Sequence, residues 1–335
     1  MKAVFIESHG DPSVIQFGEM PDPNPGPGQI MVKVRAASVN RLDLYTRAGL
    51  RGTKVPDDEF PRILGGDCAG TIEAVGEGVD DFAIGQSVVV NPVLSVDPFP
   101  RMIGTHQQGS HAELVVVPAV NAVPMDTSLD FAVAASLPTV YLPTWGIIIR
   151  EGKLLAEETA VVLSASSGVG TAAIQIVKGI VGAQCIAVTS TAAKAERALH
   201  LGADHVINYN EEDLGQRIKD LTGGRGADLV VDSTGALLFE AAYGALARGG
   251  RFGTCGVTSG YLSQIHLGHL FTKQLKVFGT FMGSQSELGD IVSAATQGKI
   301  TTAFQEIAPL SEAARIHEQM EKSEHFGKFV LTSNQ

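Results

Sequence analysis

The chain has 335 residues, enough for two domains that each bury a hydrophobic core. It is 44% hydrophobic and 18% charged and contains 38 glycines, which is typical of a folded α/β protein and excludes the disordered and fibrous classes. The formal net charge of -11, without any basic run, disfavours binding to nucleic acid or to anionic membranes. We therefore expect a small-molecule substrate as the partner.

Neither a targeting signal nor a membrane span is predicted. Residues 1–6 form a short predicted strand, and the chain breaks over residues 7–12 before an apolar signal core could form. The apolar stretches at 159–163 and 173–189 are short or interrupted by polar residues. The cysteines are widely spaced and predict neither a disulfide framework nor a CxxC zinc site: Cys68, Cys185 and Cys255. A reducing cytoplasm is the expected location.

The first part of the chain predicts a β-rich domain. Short, β-branched and partly alternating segments are separated by Gly, Pro or Asp turns. These predicted strands are 1–6, 29–36, 70–75, 86–90 and 111–117. The tail predicts two helices and a final strand, near 285–297, 311–322 and 328–331, and we expect it to complete this first domain. The predicted domain thus comprises residues 1–125 and 285–335.

The second predicted domain comprises residues 126–284, and strands and helices alternate in it. The predicted strands are 160–164, 184–189, 205–208, 228–232, 250–255 and 276–280. Helices are predicted between them at 170–181, 193–201, 213–222 and 239–246. This alternation predicts a doubly wound parallel sheet, whose ligand crevice lies at the carboxyl ends of the strands.

A glycine-rich turn joins the first of these strands to its helix. It reads Ser164-Ala-Ser-Ser-Gly-Val-Gly170, and only Gly170 matches a glycine of the GxGxxG pattern. Such a turn brings backbone N–H groups and the positive end of a helix to a pyrophosphate. Joints of this kind are common, but this one opens a series of βα units. We therefore predict a dinucleotide site that includes Ser167, Gly168, Val169 and Gly170.

The end of the second predicted strand distinguishes between nicotinamide cofactors. NAD-binding proteins place Asp or Glu about 20 residues after the turn, where the carboxylate holds the ribose 2′-OH. Here the segment from Val188 to Lys194 has no carboxylate, and Glu196 is the first that follows. Small hydroxyl residues and Lys194 suit a 2′-phosphate instead. The alternative is that Lys194 is a solvated surface lysine. We predict NADPH.

Two further motifs carry a family resemblance that covers nearly the whole chain. GADHVINY at 202–209 and VVDSTG at 230–235 resemble the cofactor domain of the zinc-free NADPH:quinone oxidoreductases. These zeta-crystallin-like enzymes are a branch of the medium-chain dehydrogenase/reductase superfamily. The resemblance implies a GroES-like β-rich catalytic domain plus a Rossmann cofactor domain. It also implies a homodimer or homotetramer that uses the strand near 276–281 as an edge.

The resemblance also implies which residues contact the cofactor. Around the 2′-phosphate it implies Ser190, Lys194 and Tyr209. Along the adenosine and the nicotinamide ribose it implies Ser233, Cys255, Gly256 and Thr258. Beside the nicotinamide carboxamide it implies Thr139, together with backbone groups of Phe281, Met282 and Gly283.

The N-terminal half is also similar to the zinc alcohol dehydrogenases of the same superfamily, but the metal ligands are missing. A catalytic zinc needs three protein ligands. Asn40 and Gly66 replace the first two, and 131–145 has no Cys, His, Asp or Glu for the third. The cysteines of a structural zinc lobe are also missing from 91–113. We expect His106 and His111, in that loop, to be surface residues, and we predict no metal.

Without a Lewis acid, simple alcohols and ketones react poorly. Hydride addition to an already activated double bond tolerates this loss, because the substrate carbonyl spreads the incoming charge. The predicted substrates are quinones, enones and enoyl thioesters. The run from Asn40 to Tyr45 resembles one in quinone oxidoreductases, which implies that Asn40 orients the substrate or nicotinamide. It implies Tyr45 as a hydrogen-bond donor and candidate proton donor. The alternative for Tyr45 is packing, with its hydroxyl bonded to backbone.

Two other functions stay open at this stage. An alcohol dehydrogenase-like enzyme is the first, since 270–284 and the HFGKFVL ending resemble zinc-dependent relatives equally well. A non-catalytic NADPH-binding protein is the second. Among the remaining polar residues, we expect Asp67 to pair with Arg41 or Arg47, and Cys68 to be a buried turn cysteine.

Overall fold

The computed structural model describes residues 1–333, which fall into two compact units. The first unit comprises Met1–Thr139, Ser284–Thr296 and the chain from Phe304 onward. The second comprises Val140–Gly283 and Gln297–Ala303. Within residues 1–333, no helix is long and apolar enough to cross a membrane.

The first unit is rich in strands, as predicted. Its strands are β1 (Lys2–Ile6), β2 (Gln16–Glu19), β3 (Gln29–Val39), β4 (Arg62–Ile63), β5 (Asp67–Val75), β6 (Ser87–Val90), β7 (Val93–Ser95), β8 (Arg101–Met102), β9 (Leu114–Pro118), β10 (Ala122–Pro124), β17 (Phe304–Pro309) and β18 (Lys328–Thr332). Its helices are α1 (Arg41–Ala48), α2 (Phe131–Ala135), α9 (Gln285–Thr296) and α10 (Ala313–Lys322). The tail is part of this unit, where β18 pairs with β3.

The central sheet of this unit has seven strands, in the order β10-β6-β5-β3-β18-β17, with β9 also paired to β3. Alternate residues of β3 are buried, which lets it pack one face into a core that contains Val32 and Ile72. Its antiparallel register with β5 sets Ser38 opposite Asp67. Its register with β18 sets Val39 opposite Phe329, one residue from Lys328. These pairings bring Asp67 and Lys328 to the end of β3.

Helix α1 begins directly after β3 and was not predicted. Asn40 is extended, with φ -125° and ψ 161°, and its backbone N–H donates to the Asp43 carboxylate at 2.7 Å. Gly49 ends the helix in the left-handed region at φ 69°, where glycine is favoured. Three local signals could have identified this helix: the Asn before it, the Asp at its third position and the Gly after it.

The second unit contains a parallel sheet wrapped by helices. Its strands are β11 (Thr159–Val162), β12 (Gln184–Thr189), β13 (His205–Asn208), β14 (Ala227–Asp232), β15 (Leu246–Thr254) and β16 (Lys276–Gly279). Its helices are α4 (Gly168–Gln175), α5 (Ala192–His200), α6 (Leu214–Leu221), α7 (Ala236–Gly244) and α8 (Leu267–Thr272). Helix α3 (Pro138–Trp145) precedes them and continues as a π-helix over Gly146–Glu151.

The strand order is β13-β12-β11-β14-β15-β16, and every pairing is parallel. All residues of β11 and β14 are buried, which is expected when helices cover both faces of a sheet. The strand order reverses between β11 and β14, where doubly wound folds bind their ligands. The predicted fold class is confirmed.

Residues 126–139 lie in the first unit, because α2 packs against β3 and β5. The cofactor domain predicted from the sequence, residues 126–284, would include them, and that domain assignment stays a prediction. Strand β16 pairs with β15 on one side and is the last strand of its sheet within residues 1–333. Its use as an assembly edge also stays a prediction.

Gly170 is required by a close approach of α4 to the turn before it. The Ser167 hydroxyl accepts from the Gly170 N–H at 3.0 Å and caps the helix. A Cβ at position 170 would lie 2.2 Å from the Ser164 carbonyl oxygen and 2.6 Å from the Ala165 Cα. Both atoms belong to backbone, so the helix could not stay where it is.

Gly170→Ala should lower the free energy of unfolding by roughly 1–3 kcal/mol, because the added methyl group overpacks the turn. Trp145, the one tryptophan of the chain, lies in the second unit and reports its urea unfolding by fluorescence. Gly244→Ala is the matched control, since a Cβ at position 244 would meet no atom within 4 Å. Equal unfolding midpoints for the two variants would contradict the close approach.

Candidate active site

The cofactor residues predicted in the second unit follow the carboxyl ends of the parallel strands. Because those ends meet at one edge of a parallel sheet, the residues after them share that edge. The residues, taken from β11 to β16, are Ser167, Gly168, Val169, Gly170, Ser190, Lys194, Tyr209, Ser233, Cys255, Gly256, Thr258, Phe281, Met282 and Gly283. Nucleotide contact by any one of them stays a prediction.

The turn between β11 and α4 can hold an anion. Ser164 adopts a left-handed φ of 52° and reverses the chain after the strand. The first backbone N–H groups of a helix have no carbonyl partner within it, and together with the helix dipole they favour a phosphate group. Of these first N–H groups, the Ser167 hydroxyl accepts a hydrogen bond from that of Gly170.

The ends of β12 and β13 lie side by side. Thr189 is opposite Asn208 in the parallel register, so Ser190 lies beside Tyr209. The Asn210 side chain locks this arrangement, because its amide donates to the Ser190 carbonyl at 2.8 Å. Thr191 caps α5 by accepting from the Lys194 N–H at 3.3 Å, which puts Lys194 in the first turn. These hydroxyl and ammonium groups suit a phosphate better than a ribose hydroxyl.

A buried carboxylate joins the ends of β14 and β15. Asp232 accepts from the Thr234 N–H at 2.7 Å and from the Thr254 hydroxyl at 3.0 Å. The Thr258 hydroxyl donates to the Ser233 carbonyl at 3.3 Å, so the predicted ribose contacts of the two strands lie together. Burial raises the pKa of the Cys255 thiol to about 12. It is therefore a neutral thiol and not a nucleophile.

The segment after β16 leaves the sheet edge with a strained residue. The Thr280 N–H donates to the Thr254 carbonyl at 3.0 Å, which keeps the segment against β15. Met282 is buried and has a left-handed φ of 48°, whereas Phe281 is 47% exposed. Left-handed φ at a non-glycine residue is uncommon and is often associated with functional sites.

In the first unit, Asp67 is the centre of a buried polar cluster. It is fully buried and accepts hydrogen bonds from three side chains: Ser38 Oγ at 3.1 Å, Asn40 Nδ2 at 2.9 Å and Thr139 Oγ1 at 2.7 Å. The Thr139 N–H adds a fourth at 3.3 Å. Two residues predicted for different roles, Asn40 and Thr139, thus share one carboxylate.

Lys328 completes the cluster and was not predicted. Its ammonium is buried and donates to Asn40 Oδ1 at 2.5 Å and to the Val39 carbonyl at 3.1 Å. Burial lowers the pKa of Lys328 and raises those of Asp67 and Asp43, the latter to about 7. The Lys328 charge opposes the shift at both carboxylates.

Tyr45 lies one turn into α1 and is half-buried. The Arg51 guanidinium lies over its ring, 4.6 Å from the centroid. In the part of the chain that the structure describes, no hydrogen bond ties its hydroxyl to the backbone. The role of Tyr45 stays a prediction.

Three expectations about polar residues are wrong. Asp67 does not pair with Arg41 or Arg47, because Arg41 donates to Ser323 and Arg47 forms an ion pair with Glu321. His111 is not a surface residue but is fully buried, packed so closely on Gly65 that a Cβ there would lie 2.2 Å from its ring. Cys68 is buried as expected, but it lies in β5 and not in a turn.

The chain is similar to dehydrogenases and quinone oxidoreductases over nearly its whole length. The family model described as "Alcohol dehydrogenase GroES-like domain" matches residues 26–127, and "Zinc-binding dehydrogenase" matches 168–297. An NAD-dependent alcohol dehydrogenase from Sulfurisphaera tokodaii is 30% identical over 99% of both chains. A solved NAD-dependent alcohol dehydrogenase is 38% identical over 100% of both chains, with a TM-score of 0.93. Escherichia coli quinone oxidoreductase complexed with NADPH is 29% identical, with a TM-score of 0.84, over 99% of this chain and 100% of that one.

The residues at the positions of the zinc ligands do not fit a zinc ion. The Asn40 amide oxygen is occupied by an ammonium group, which would also repel a cation. A side chain at Gly66 would begin 3.3 Å from the Ile103 carbonyl oxygen and from Pro92. Among residues 1–333, no three His, Cys, Asp or Glu side chains are grouped so that they could hold a metal.

His111 should make the stability of the protein depend on pH. Burial, with a smaller contribution from Lys328, lowers the pKa of His111 to about 4, below the ordinary 6.5. Between these values the unfolded chain binds a proton that the folded chain excludes, so stability falls as pH falls from about 6.5 to about 4. The pKa difference corresponds to roughly 3 kcal/mol.

Urea unfolding of wild type and His111→Gln, followed by circular dichroism at about pH 5 and about pH 7, measures this effect. The variant should lose much less stability at the lower pH. His200→Gln, a change at an exposed histidine, should keep the wild-type pH dependence. The explanation fails if His111→Gln and wild type lose stability equally.

Proposed function

Because the chain belongs to the medium-chain dehydrogenase/reductase superfamily, we propose that it is an NADPH-dependent oxidoreductase that adds hydride to activated double bonds without a metal. The proposed substrates are quinones, enones and enoyl thioesters. The observation that carries the proposal is the Asn40 amide, which lies between the Lys328 ammonium and the Asp67 carboxylate where zinc relatives have a ligand. The similar Escherichia coli quinone oxidoreductase supports this reaction class.

The donors of the first unit suit this reaction. Bound NADPH supplies the hydride. Negative charge develops on the substrate carbonyl oxygen, and pre-positioned hydrogen-bond donors stabilise it. Asn40 Nδ2 carries a second hydrogen beyond the one that it donates to Asp67, and we assign it to orient the carbonyl. Tyr45 is the proposed donor of a hydrogen bond or a proton to the enolate.

The preference for NADPH over NADH is part of the proposal. It is supported by the segment from Ser190 to Lys194, which offers hydroxyl groups and an ammonium and no carboxylate. The NADPH complex of the Escherichia coli relative agrees with it. The alcohol dehydrogenases among the relatives are named as NAD-dependent, so the preference needs a direct test.

A second candidate function is NAD-dependent alcohol oxidation. It is favoured by the 38% identity to a solved alcohol dehydrogenase. The missing zinc ligands argue against it, because an alcohol is hard to deprotonate without a Lewis acid. A screen of NADPH against quinones, enones and enoyl thioesters, and of NAD⁺ against alcohols, separates the two when run beside a metal analysis. Alcohol oxidation by protein that contains zinc would overturn our proposal.

Tyr45→Phe should lower kcat for the best substrate of that screen by on the order of 100-fold, because general-acid catalysis contributes at least this much. Binding of NADPH, measured by its fluorescence, should not change. Tyr243→Phe is the matched control. Tyr243 lies at the far end of α7, and its hydroxyl donates to the His266 carbonyl. If Tyr45→Phe keeps full activity, Tyr45 is not the donor.

Lys194→Ala should raise KM for NADPH roughly tenfold, because a hydrogen bond to a charged group stabilises by about 1.5 kcal/mol or more. KM for NADH should not change, since NADH lacks the 2′-phosphate. Lys219→Ala removes an exposed lysine elsewhere in the second unit and should alter neither value. An equal rise for both cofactors would rule out recognition of the 2′-phosphate by Lys194.

A further inference from the structure

Asn40 contacts a buried cation on one side of its amide and a buried anion on the other. Lys328 Nζ donates to Oδ1 at 2.5 Å, and Nδ2 donates to Asp67 at 2.9 Å. Lys328 is 3% exposed and Asn40 is 5% exposed. Both oxygens that accept from Lys328, Asn40 Oδ1 and the Val39 carbonyl, belong to neutral groups. Among residues 1–333, Lys328 thus donates to Asn40 and to the Val39 carbonyl and to no carboxylate.

We propose that Lys328 is a positioning residue for the reaction, which fixes the Asn40 side chain with its N–H groups as the available donors. The inference rests on the proposed function, because it names what holds the residue that orients the substrate carbonyl. Lys328 itself does not touch the substrate in this proposal. It acts through Asn40.

The geometry excludes the opposite orientation of the amide. A rotated amide would direct its NH₂ group at the Lys328 ammonium and its oxygen at the Asp67 carboxylate. Both contacts would then join like partners, two donors in one case and two acceptors in the other. Inside a protein such contacts cost more than in water, because the local dielectric constant is low. An asparagine without these two neighbours would have no such preference.

The backbone also determines where Lys328 lies. Lys328 begins β18, and the antiparallel register of β18 with β3 brings it beside the end of β3, where Asn40 follows. Asp43 adds a second carboxylate, which accepts from the Asn40 N–H at 2.7 Å. Asn40 is therefore held at its backbone by one carboxylate and at its side chain by a carboxylate and an ammonium.

A purely structural role for Lys328 is the competing interpretation. A buried lysine could serve only to balance the charges of Asp67 and Asp43. The two roles predict different stability and kcat for a variant that loses the charges of Lys328 and Asp67 together. If Lys328 only balances charge, removing it together with the charge of Asp67 should restore both stability and rate. If it positions Asn40, the pair should restore stability alone.

The test compares Lys328→Met, Asp67→Asn/Lys328→Met and the control Lys322→Met, which removes an exposed lysine of the same unit. Lys328→Met should lower the thermal midpoint and reduce kcat by on the order of 100-fold, because small misplacements of a positioning group have effects of this size. The double variant should recover the midpoint but not kcat. Wild-type kcat in the double variant would overturn the proposal.

Nuclear magnetic resonance gives a readout that needs no turnover. The side-chain amide pair of Asn40 is assigned in ¹⁵N-labelled protein by its loss in Asn40→Ala. In wild type the two N–H signals should be well separated and slow to exchange, and in the double variant they should move towards those of a solvated asparagine. Unchanged Asn40 signals would overturn the proposal, even if no substrate of the proposed class were reduced. Failure of the proposed function alone would show as inactive wild type with the expected signals.

Discussion

The buried Asp67 carboxylate is the interaction on which the candidate chemistry of the first unit depends. It accepts from Ser38 on β3, from Asn40 before α1, and twice from Thr139 in α3. An unpaired carboxylate in this position would cost several kcal/mol, so its donors are held as firmly as the core. Two chain segments that are far apart in sequence, Ser38–Asn40 and the start of α3, are thereby fixed around one charge.

The buried charges of this cluster bear on the type of reaction that the site can support. Two buried carboxylates, Asp43 and Asp67, share their surroundings with the Lys328 ammonium. A side-chain cation beside Asn40 cannot ionise a bound alcohol as a Lewis acid does, but it can hold hydrogen-bond donors in place. Donors of this kind suit a substrate that is already activated, and this is the physical basis for our preference for quinones and enones.

In the second unit, contacts between residues near one another in the chain form the predicted cofactor site. Each predicted cofactor residue follows a parallel strand, and the sheet itself brings the strand ends to one edge. The close approach at Gly170 and the capping by Ser167 and Thr191 are formed by residues near one another in the chain. The dinucleotide site could therefore be predicted from local motifs, whereas the contacts around Asn40 could not.

Periodicity and turn chemistry act over a few residues, so the sequence alone was enough to predict the βα alternation and the β-rich first unit. The surroundings of Asn40 and the burial of His111 against Gly65 depend on the tertiary fold, since Lys328 is 288 positions from Asn40. Pairing of β18 with β3 creates the first contact, and packing creates the second. Residues brought together by such long-range contacts leave no pattern in a single sequence, so the partners of Asp67 could not be predicted correctly.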